Sequence, residues 1–210
     1  FVEIDFADPA KPVIEKLDFD FASCGYALCI VDTGGSHSDL TDEYAAVRKE
    51  MESVAEYLGK SVLREVDEDE FMKNIADIRS SCGDRAVLRA MHFYGDNARV
   101  EKQAAALKAG DFETFKKYII ESGRSSYMYN QNVYSCKKTS EQPVSLALSL
   151  SEKLLDGCGA WRVHGGGFAG TIQAFVPLNK LDEYKDLMEK VFGSGSCYIL
   201  SVRPVGGVEL

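Results

Sequence analysis

Between positions 162 and 171 the chain reads Arg-Val-His-Gly-Gly-Gly-Phe-Ala-Gly-Thr. Gly165, Gly167 and Gly170 satisfy the G-x-G-x-x-G spacing of dinucleotide-binding loops, in which backbone N–H groups at a helix N-terminus hold a pyrophosphate. That chemistry needs a helix after the glycines. The residues that follow, Thr171-Ile172-Gln173-Ala174-Phe175-Val176, are rich in β-branched and aromatic side chains and predict a strand. A Walker-type phosphate loop is excluded too, because no Gly-Lys-Ser or Gly-Lys-Thr follows. What remains is a strand-to-strand connection in which Gly165, Gly166, Gly167, Ala169 and Gly170 carry no bulk, whereas a hairpin turn needs one or two glycines. Glycine costs roughly 0.5–1 kcal/mol relative to Ala in a structured segment. So bare a backbone is expected to lie close to something, either a ligand whose oxygens accept from N–H groups or a helix packed against the turn.

Other reactive residue types are dispersed. His37 and His92 have no second ligand at metal-binding spacing, so no metal site is expected, and the six cysteines (Cys24, Cys29, Cys82, Cys136, Cys158, Cys197) stand singly, without a Cys-x-x-Cys pair. They read as reduced cytoplasmic thiols. Cys158, between two glycines, reads as a tight-turn residue, and no His or Asn is placed to make it a nucleophile. Asp67-Glu68-Asp69-Glu70 reads as a solvated helix start.

The elements that must position the glycine run are legible from periodicity. Val2 to Phe6 and Val13 to Phe19 alternate as a hairpin around Ala7-Asp8-Pro9-Ala10-Lys11-Pro12, and Cys24 to Val31 is a near-continuous apolar strand of the kind buried on both faces. Steps of three and four then predict a helix from Tyr44 to Leu58 ended by Gly59, and a second through Phe71, Ile75 and Ile78 to Gly83. A long helix follows from Asp84 to Lys108 with Val87, Met91, Tyr94 and Ala98 on its stripe. The next is capped by Asp111, buries Phe112, Phe115, Tyr118 and Ile119, and loosens near Gly123. Ser125 to Cys136 has no clear period. Leu146, Leu150 and Leu154 predict a helix ending at Gly157. After it come strands at Ala160–Val163 and Thr171–Val176, a helix capped by Asn179, and a last strand from Cys197 to Val202. This order implies an α+β domain, a mainly antiparallel sheet with helices on one face.

Composition sets the outer bounds. The 210 residues are 45% hydrophobic and 27% charged, an ordinary globular mixture, and no run approaches a membrane span. With 24 basic against 33 acidic residues the net charge of -9 makes nucleic acid a poor partner. The chain opens on Phe-Val-Glu-Ile-Asp-Phe rather than Met, so it reads as a piece of a longer protein, and it shows no basic and apolar export signal, which a cut chain could have lost.

Three motifs in order go further. Arg162-Val163-His164 followed by Gly165-Gly166-Gly167-Phe168-Ala169-Gly170 resembles the third motif of the GHMP small-molecule kinases in its galactokinase form, an Arg-Met-Thr-like strand before Gly-Gly-Gly-Phe-Gly-Gly. Leu28 to Thr33 with Asp42-Glu43-Tyr44 and Arg48-Lys49 is similar to that family's strand and Ser-Glu-Tyr helix start. Asn97-Ala98-Arg99-Val100, Gly110-Asp111-Phe112 and Glu121-Ser122 are similar to its Glu-Asn-Ala-Arg, Gly-Asp-Leu and Glu-Ser-His signals. The resemblance covers roughly residues 24 to 205. The chain departs from it at His164 (usually Thr), Ala169 (Gly) and Thr171 (often Cys), and at Gly123 to Asn130, which replace a His and an Arg-Asp-Asp-Tyr run. His164 before the turn reads as structural rather than as a titrating group.

The resemblance implies the GHMP-kinase C-terminal domain over 23–210, preceded by a hairpin, 1–22, left over from the N-terminal kinase domain. It implies transfer of the ATP γ-phosphoryl group to the anomeric hydroxyl of galactose, with Mg²⁺ bridging phosphates. It places Tyr44 on the sugar, Gly165, Gly166 and Gly167 beside the reacting carbon, and Phe168, Ala169 and Gly170 near the phosphate. No catalytic base and no metal ligand is expected in this chain. Sugar and ATP would engage through the absent N-terminal domain, so the piece alone is expected to be inactive, to hold no cofactor, and to oligomerise only through exposed strand edges. The expected location is the cytoplasm, without nucleic-acid or membrane partners. Alternatives are a kinase for another hexose such as N-acetylgalactosamine, a galactose-sensing regulator that has dropped catalysis, and a ligand-free interaction module.

Overall fold

A computed structural model describes residues 2–19, 21–35 and 40–201. The hairpin forms as β1 (Val2–Asp5) and β2 (Val13–Lys16), antiparallel in the register Val2 to Lys16, and it is a two-stranded sheet of its own. Asp5 and Asp8 bend the connection by accepting from the Ala7 and Ala10 N–H groups through their carboxylates. Its apolar side chains, Val2, Val13 and Ile14 among them, stay exposed. Leu17, just past β2, is buried with Leu107 and Phe115, and Lys108 reaches Glu15 at 2.8 Å.

The main sheet has the order β4-β5-β3-β6 and is antiparallel throughout. β3 (Tyr26–Asp32) lies inside it, flanked by β5 (Thr171–Pro177) and β6 (Cys197–Leu200), while β4 (Ala160–Val163) forms one edge. Side chains alternate across the pleat. Ala27, Cys29 and Val31 of β3 join Ile172, Ala174 and Val176 of β5 in one core, closed by Val144, Ala147 and Leu155 of α6 (Pro143–Leu155) and Tyr184 and Met188 of α7 (Leu181–Phe192). Tyr26, Leu28 and Phe175 face the other way, onto Phe112, Phe115 and Ile119 of α5 (Phe112–Ser125). The α+β expectation holds with helices on both faces rather than one; β3 is fully buried only on the α6/α7 side.

A third core joins α1 (Thr41–Tyr57), α2 (Glu68–Lys73), α3 (Ile75–Cys82) and the first half of α4 (Asp84–Lys108) around Val54, Phe71, Ile78 and Ala90. Asp67 caps α2, its side chain accepting from the Asp69 and Glu70 N–H groups, and Asp111 caps α5 by accepting from Thr114 N–H at 3.0 Å. The single helix expected from Phe71 to Gly83 is broken at Asn74, whose side chain turns back to donate to the Glu70 carbonyl at 2.8 Å. On α4 the expected stripe shifts: Met91 and Ala98 are exposed, and Ala86, Val87, Ala90 and Tyr94 take the buried face. On α6 Leu146 is exposed, because Val144, Ala147, Ser151 and Leu155 face the sheet. Tyr118 is half-buried. Asn179 does not cap α7; it sits in a 3₁₀ turn, Leu178–Lys180, and α7 starts without a side-chain cap. His37 and Val202 lie outside the described residues.

α5 does not loosen at Gly123. It runs to Ser125 and continues as a π-turn, Ser126–Asn130, which closes at Gln131 in the left-handed region with φ of 53°. This is the stretch without a readable period, and a π-turn has none to offer: its i→i+5 pattern matches neither apolar spacing.

Candidate functional site

The glycine run is the β4–β5 connection. The ladder extends one step past β4, with His164 N–H donating to the Thr171 carbonyl at 3.0 Å, and then opens. Gly165, Gly167 and Gly170 take φ of 68°, 81° and 91°, and Phe168, bulky and buried, takes 57°. A bulky residue at positive φ is strained, and such strain is held only where the surroundings over-determine it. Here they do. Phe168 N–H donates to the Asn132 carbonyl at 2.5 Å, and its ring meets Tyr44 edge to face at 5.3 Å between centroids.

Tyr44 comes from the first turn of α1 and reaches the same loop. Its hydroxyl donates to the Gly167 carbonyl at 2.7 Å, and a Cβ built on Gly166 would lie 2.8 Å from its ring carbon Cε1. Partial burial pushes the phenol pKa up, so the hydroxyl is protonated at neutral pH and can donate. The same oxygen is chemically able to accept as well. Among the described residues the N–H groups of Gly165, Gly166 and Gly167 have no acceptor.

Two clefts flank the loop. One, of about 520 Å³, is lined by Tyr44, Gly165 and Gly166 together with Asn130, Asn132 and the apolar Val47, Met51 and Phe93. Arg48 and Arg64 stand at it, each already ion-paired, with Glu52 at 2.7 Å and Asp5 at 2.9 Å. The other, of about 530 Å³, lies on the far side, lined by Thr33, Gly34 and Gly35 after β3, by Phe168 and Ala169, and by Lys138 and Pro143 at the start of α6. Thr33 ties β3 to the loop, donating to the Gly170 carbonyl from both its hydroxyl, at 2.6 Å, and its N–H, at 2.9 Å.

Of the residues singled out from sequence, Tyr44, Gly165 and Gly166 thus meet at one cleft. Gly167 lines neither: it is pressed on the Asn132 backbone, where a Cβ would stand 1.8 Å from the carbonyl oxygen. Phe168 and Ala169 reach the second cleft, and Gly170 is the acceptor for Thr33. His164 bonds Thr171 Oγ1 through Nδ1 at 3.0 Å. Cys158 Sγ lies 3.4 Å from the Leu155 carbonyl in its turn. The motif residues on α4 and α5 serve packing instead: Asp96 takes Ser122 Oγ at 2.6 Å and Arg99 at 3.1 Å where the two helices cross. His92 is buried at that crossing, against Ser125 Oγ at 2.9 Å.

Sequence reasoning missed Asn130, Asn132 and Arg89. Arg89 is wholly buried on α4, donating to the Asn130 carbonyl at 3.0 Å and to Glu50 at 2.8 Å, and desolvation lowers its pKa. The only signal for the asparagines was two of them within an aperiodic, tyrosine-rich stretch. Among the described residues no group of three His, Cys, Asp or Glu is placed to hold a metal ion, and no helix is long and apolar enough to cross a membrane.

No protein-family model matches the chain. Curated relatives do. It is 31% identical over 184 residues to a galactokinase of Homo sapiens, covering 88% of this chain and 44% of the relative. It is 29% identical over 182 residues to one of Thermosipho africanus (85% and 47%), and 26% identical over 164 residues to one of Actinobacillus pleuropneumoniae serotype 5b (78% and 41%). A crystal structure of Lactococcus lactis galactokinase complexed with galactose shares the fold, with a TM-score of 0.66 at 20% identity over 91% of this chain and 48% of that one. The chain spans less than half the length of each of these proteins. With the three motifs in order and the tyrosine on the glycine loop, this chain is similar over most of its length to the galactokinases, and is consistent with their C-terminal portion.

Proposed function

We propose that this chain is the C-terminal lobe of an ATP-dependent sugar kinase that phosphorylates the anomeric hydroxyl of galactose, and that the cleft at Tyr44, Gly165 and Gly166 receives the sugar. The observation that carries this reading is the Tyr44 hydroxyl on the Gly167 carbonyl with the ring against Gly166, at the mouth of a cleft. An aromatic ring beside unhindered peptide groups suits a sugar, whose C–H faces pack on rings and whose hydroxyls both donate and accept.

In this reading Gly165 and Gly166 let the substrate approach the backbone to hydrogen-bond distance, which any side chain there would prevent. Tyr44 fixes the loop and offers its oxygen to a sugar hydroxyl. Phe168, Ala169 and Gly170 hold the loop between the two clefts, on the side where the phosphoryl group would sit. Catalysis then rests on positioning and charge stabilisation more than on covalent chemistry by the protein. ATP and Mg²⁺ are cosubstrate and ion of the full-length enzyme, and no residue of this chain is assigned to either. The hairpin up to position 22 belongs, in the same reading, to a preceding domain.

The test is phosphoryl transfer by the full-length protein, followed by ³¹P NMR with Mg-ATP and galactose. Formation of galactose 1-phosphate is expected. Transfer to N-acetylgalactosamine with galactose untouched would replace the substrate, and the altered stretch from Gly123 to Asn130, whose last residue lines the cleft, favours keeping that second sugar in the panel. Binding of galactose without transfer would replace the kinase by a sensor. The piece alone is expected to show no galactose-dependent ATP consumption.

A further inference from the structure

Asn130 and Asn132 are unusual among the polar residues of the molecule. Both are buried, at 7% and 5% exposure, both line the cleft beside Gly165 and Gly166, and the side-chain oxygen of each has no hydrogen-bond partner among the described residues. Their backbone carbonyls are engaged: that of Asn130 accepts from Arg89 Nε at 3.0 Å, and that of Asn132 accepts from Phe168 N–H. Asn132 Nδ2 donates to the Gly166 carbonyl at 3.2 Å, which fixes the orientation of its amide. The π-turn and the left-handed Gln131 between the two residues are therefore held from both sides, by α4 and by the glycine loop.

A buried amide oxygen left without a donor is a standing loss to the fold, and native structures carry few of them. Two on residues that line one cleft, with their backbone carbonyls held, are acceptors awaiting donors; both oxygens are shielded from solvent as the cleft stands, so the donor is a group that displaces their cover on binding. A sugar presents neighbouring hydroxyls, each able to donate while its own oxygen accepts from elsewhere. Resting on the sugar-kinase reading above, we propose that Asn130 and Asn132 are specificity-determining residues, their side-chain oxygens accepting hydrogen bonds from hydroxyl groups of the bound hexose. Tyr44 and the glycines admit a sugar of any configuration; the two amides select by where its hydroxyls lie.

The experiment measures kcat/KM of the full-length protein for galactose and for its 2-, 3-, 4- and 6-deoxy analogues, in the wild type, Asn130→Ala and Asn132→Ala. In the wild type at least one analogue falls about tenfold or more below galactose, the loss of one hydrogen bond to a clamped acceptor. In the variant that removes its acceptor, galactose falls while that analogue does not, so their ratio approaches one. Asn132→Ala also removes the tie to Gly166; Asn130→Ala leaves the glycine loop's bonds in place and keeps the test alive if the other variant fails to fold. An equal fall for every sugar in both variants would assign the asparagines to loop support and overturn the proposal. A wild type that transfers phosphate to no hexose would instead remove the kinase reading beneath it, a result separate from unchanged sugar ratios in an active enzyme.

Discussion

Gly167 and Asn132 touch backbone to backbone, so closely that the position of the missing Cβ is already occupied by the Asn132 carbonyl group. Gly165, two residues earlier, also has a positive φ, but a Cβ there would meet nothing within 4 Å. The two glycines are alike in sequence and differ in what stands next to them. Gly165→Ala should lower the melting temperature by about 2–4 °C, the consequence of left-handed backbone alone. Gly167→Ala adds a backbone collision, and should lower it by on the order of 10 °C. Thermal unfolding of both variants checks this, and equal losses would contradict it.

Gly166 is neighbour to the Tyr44 ring. Gly166→Val should drive the ring off and take the hydroxyl from the Gly167 carbonyl, lowering kcat of the full-length enzyme far more than its melting temperature. Tyr44→Phe keeps the ring and removes the hydroxyl. It should cost about 1 kcal/mol of stability, 2–4 °C, and raise the KM for the sugar several-fold. Unchanged KM in Tyr44→Phe would show that the phenol serves the loop and not the substrate.

Burial pushes the His92 pKa below its ordinary 6.5, against the pull of Asp96 and with the push of Arg162 and Arg99. The fold thus favours the neutral ring. Its contribution is complete above about pH 6.5 and is lost as pH falls through the lower folded value. Melting temperature measured from pH 8 to pH 5 should drop more steeply in the wild type than in His92→Gln. Parallel curves would place the acid sensitivity elsewhere.

Arg89 is a charge with no exposure whose ion-pair partner is Glu50, with the field of Glu43 nearby. Removing the carboxylate leaves the guanidinium buried and poorly compensated, so Glu50→Ala should destabilise by about 3 kcal/mol. Arg89→Met removes the buried charge and keeps the volume, and should cost less. Chemical denaturation of the two variants decides the order. The reverse order would mean that the bond from Arg89 to the Asn130 carbonyl matters more than the pair.

What the sequence made legible follows the physics of each signal. α4 and β4 lie where periodicity put them, and Asp111 caps the helix it was read to cap, because those signals are local, while Asp67, read as part of a solvated acidic start, caps α2. Met91 and Leu146 were assigned to the core because an apolar stripe on α4 or α6 can be drawn in more than one way, and only the neighbouring elements choose. The glycine run was conspicuous as composition, yet which glycine faces the cleft depends on Asn132, whose segment matches no period. Tyr44 was found through the family pattern rather than from its own surroundings, since at the head of an apolar stripe it looks like core.

α5 and β4 meet at Gly123, where a Cβ would lie 3.0 Å from Arg162 Cβ and 3.1 Å from the Trp161 carbonyl oxygen. The gap between helix and strand is set by one absent methyl. A side chain there would act as a wedge at the root of the π-turn, and everything the turn carries would swing with it. A change out of sight of the cleft, in the last turn of α5, would thus be felt at Asn130 and Asn132, seven and nine residues away.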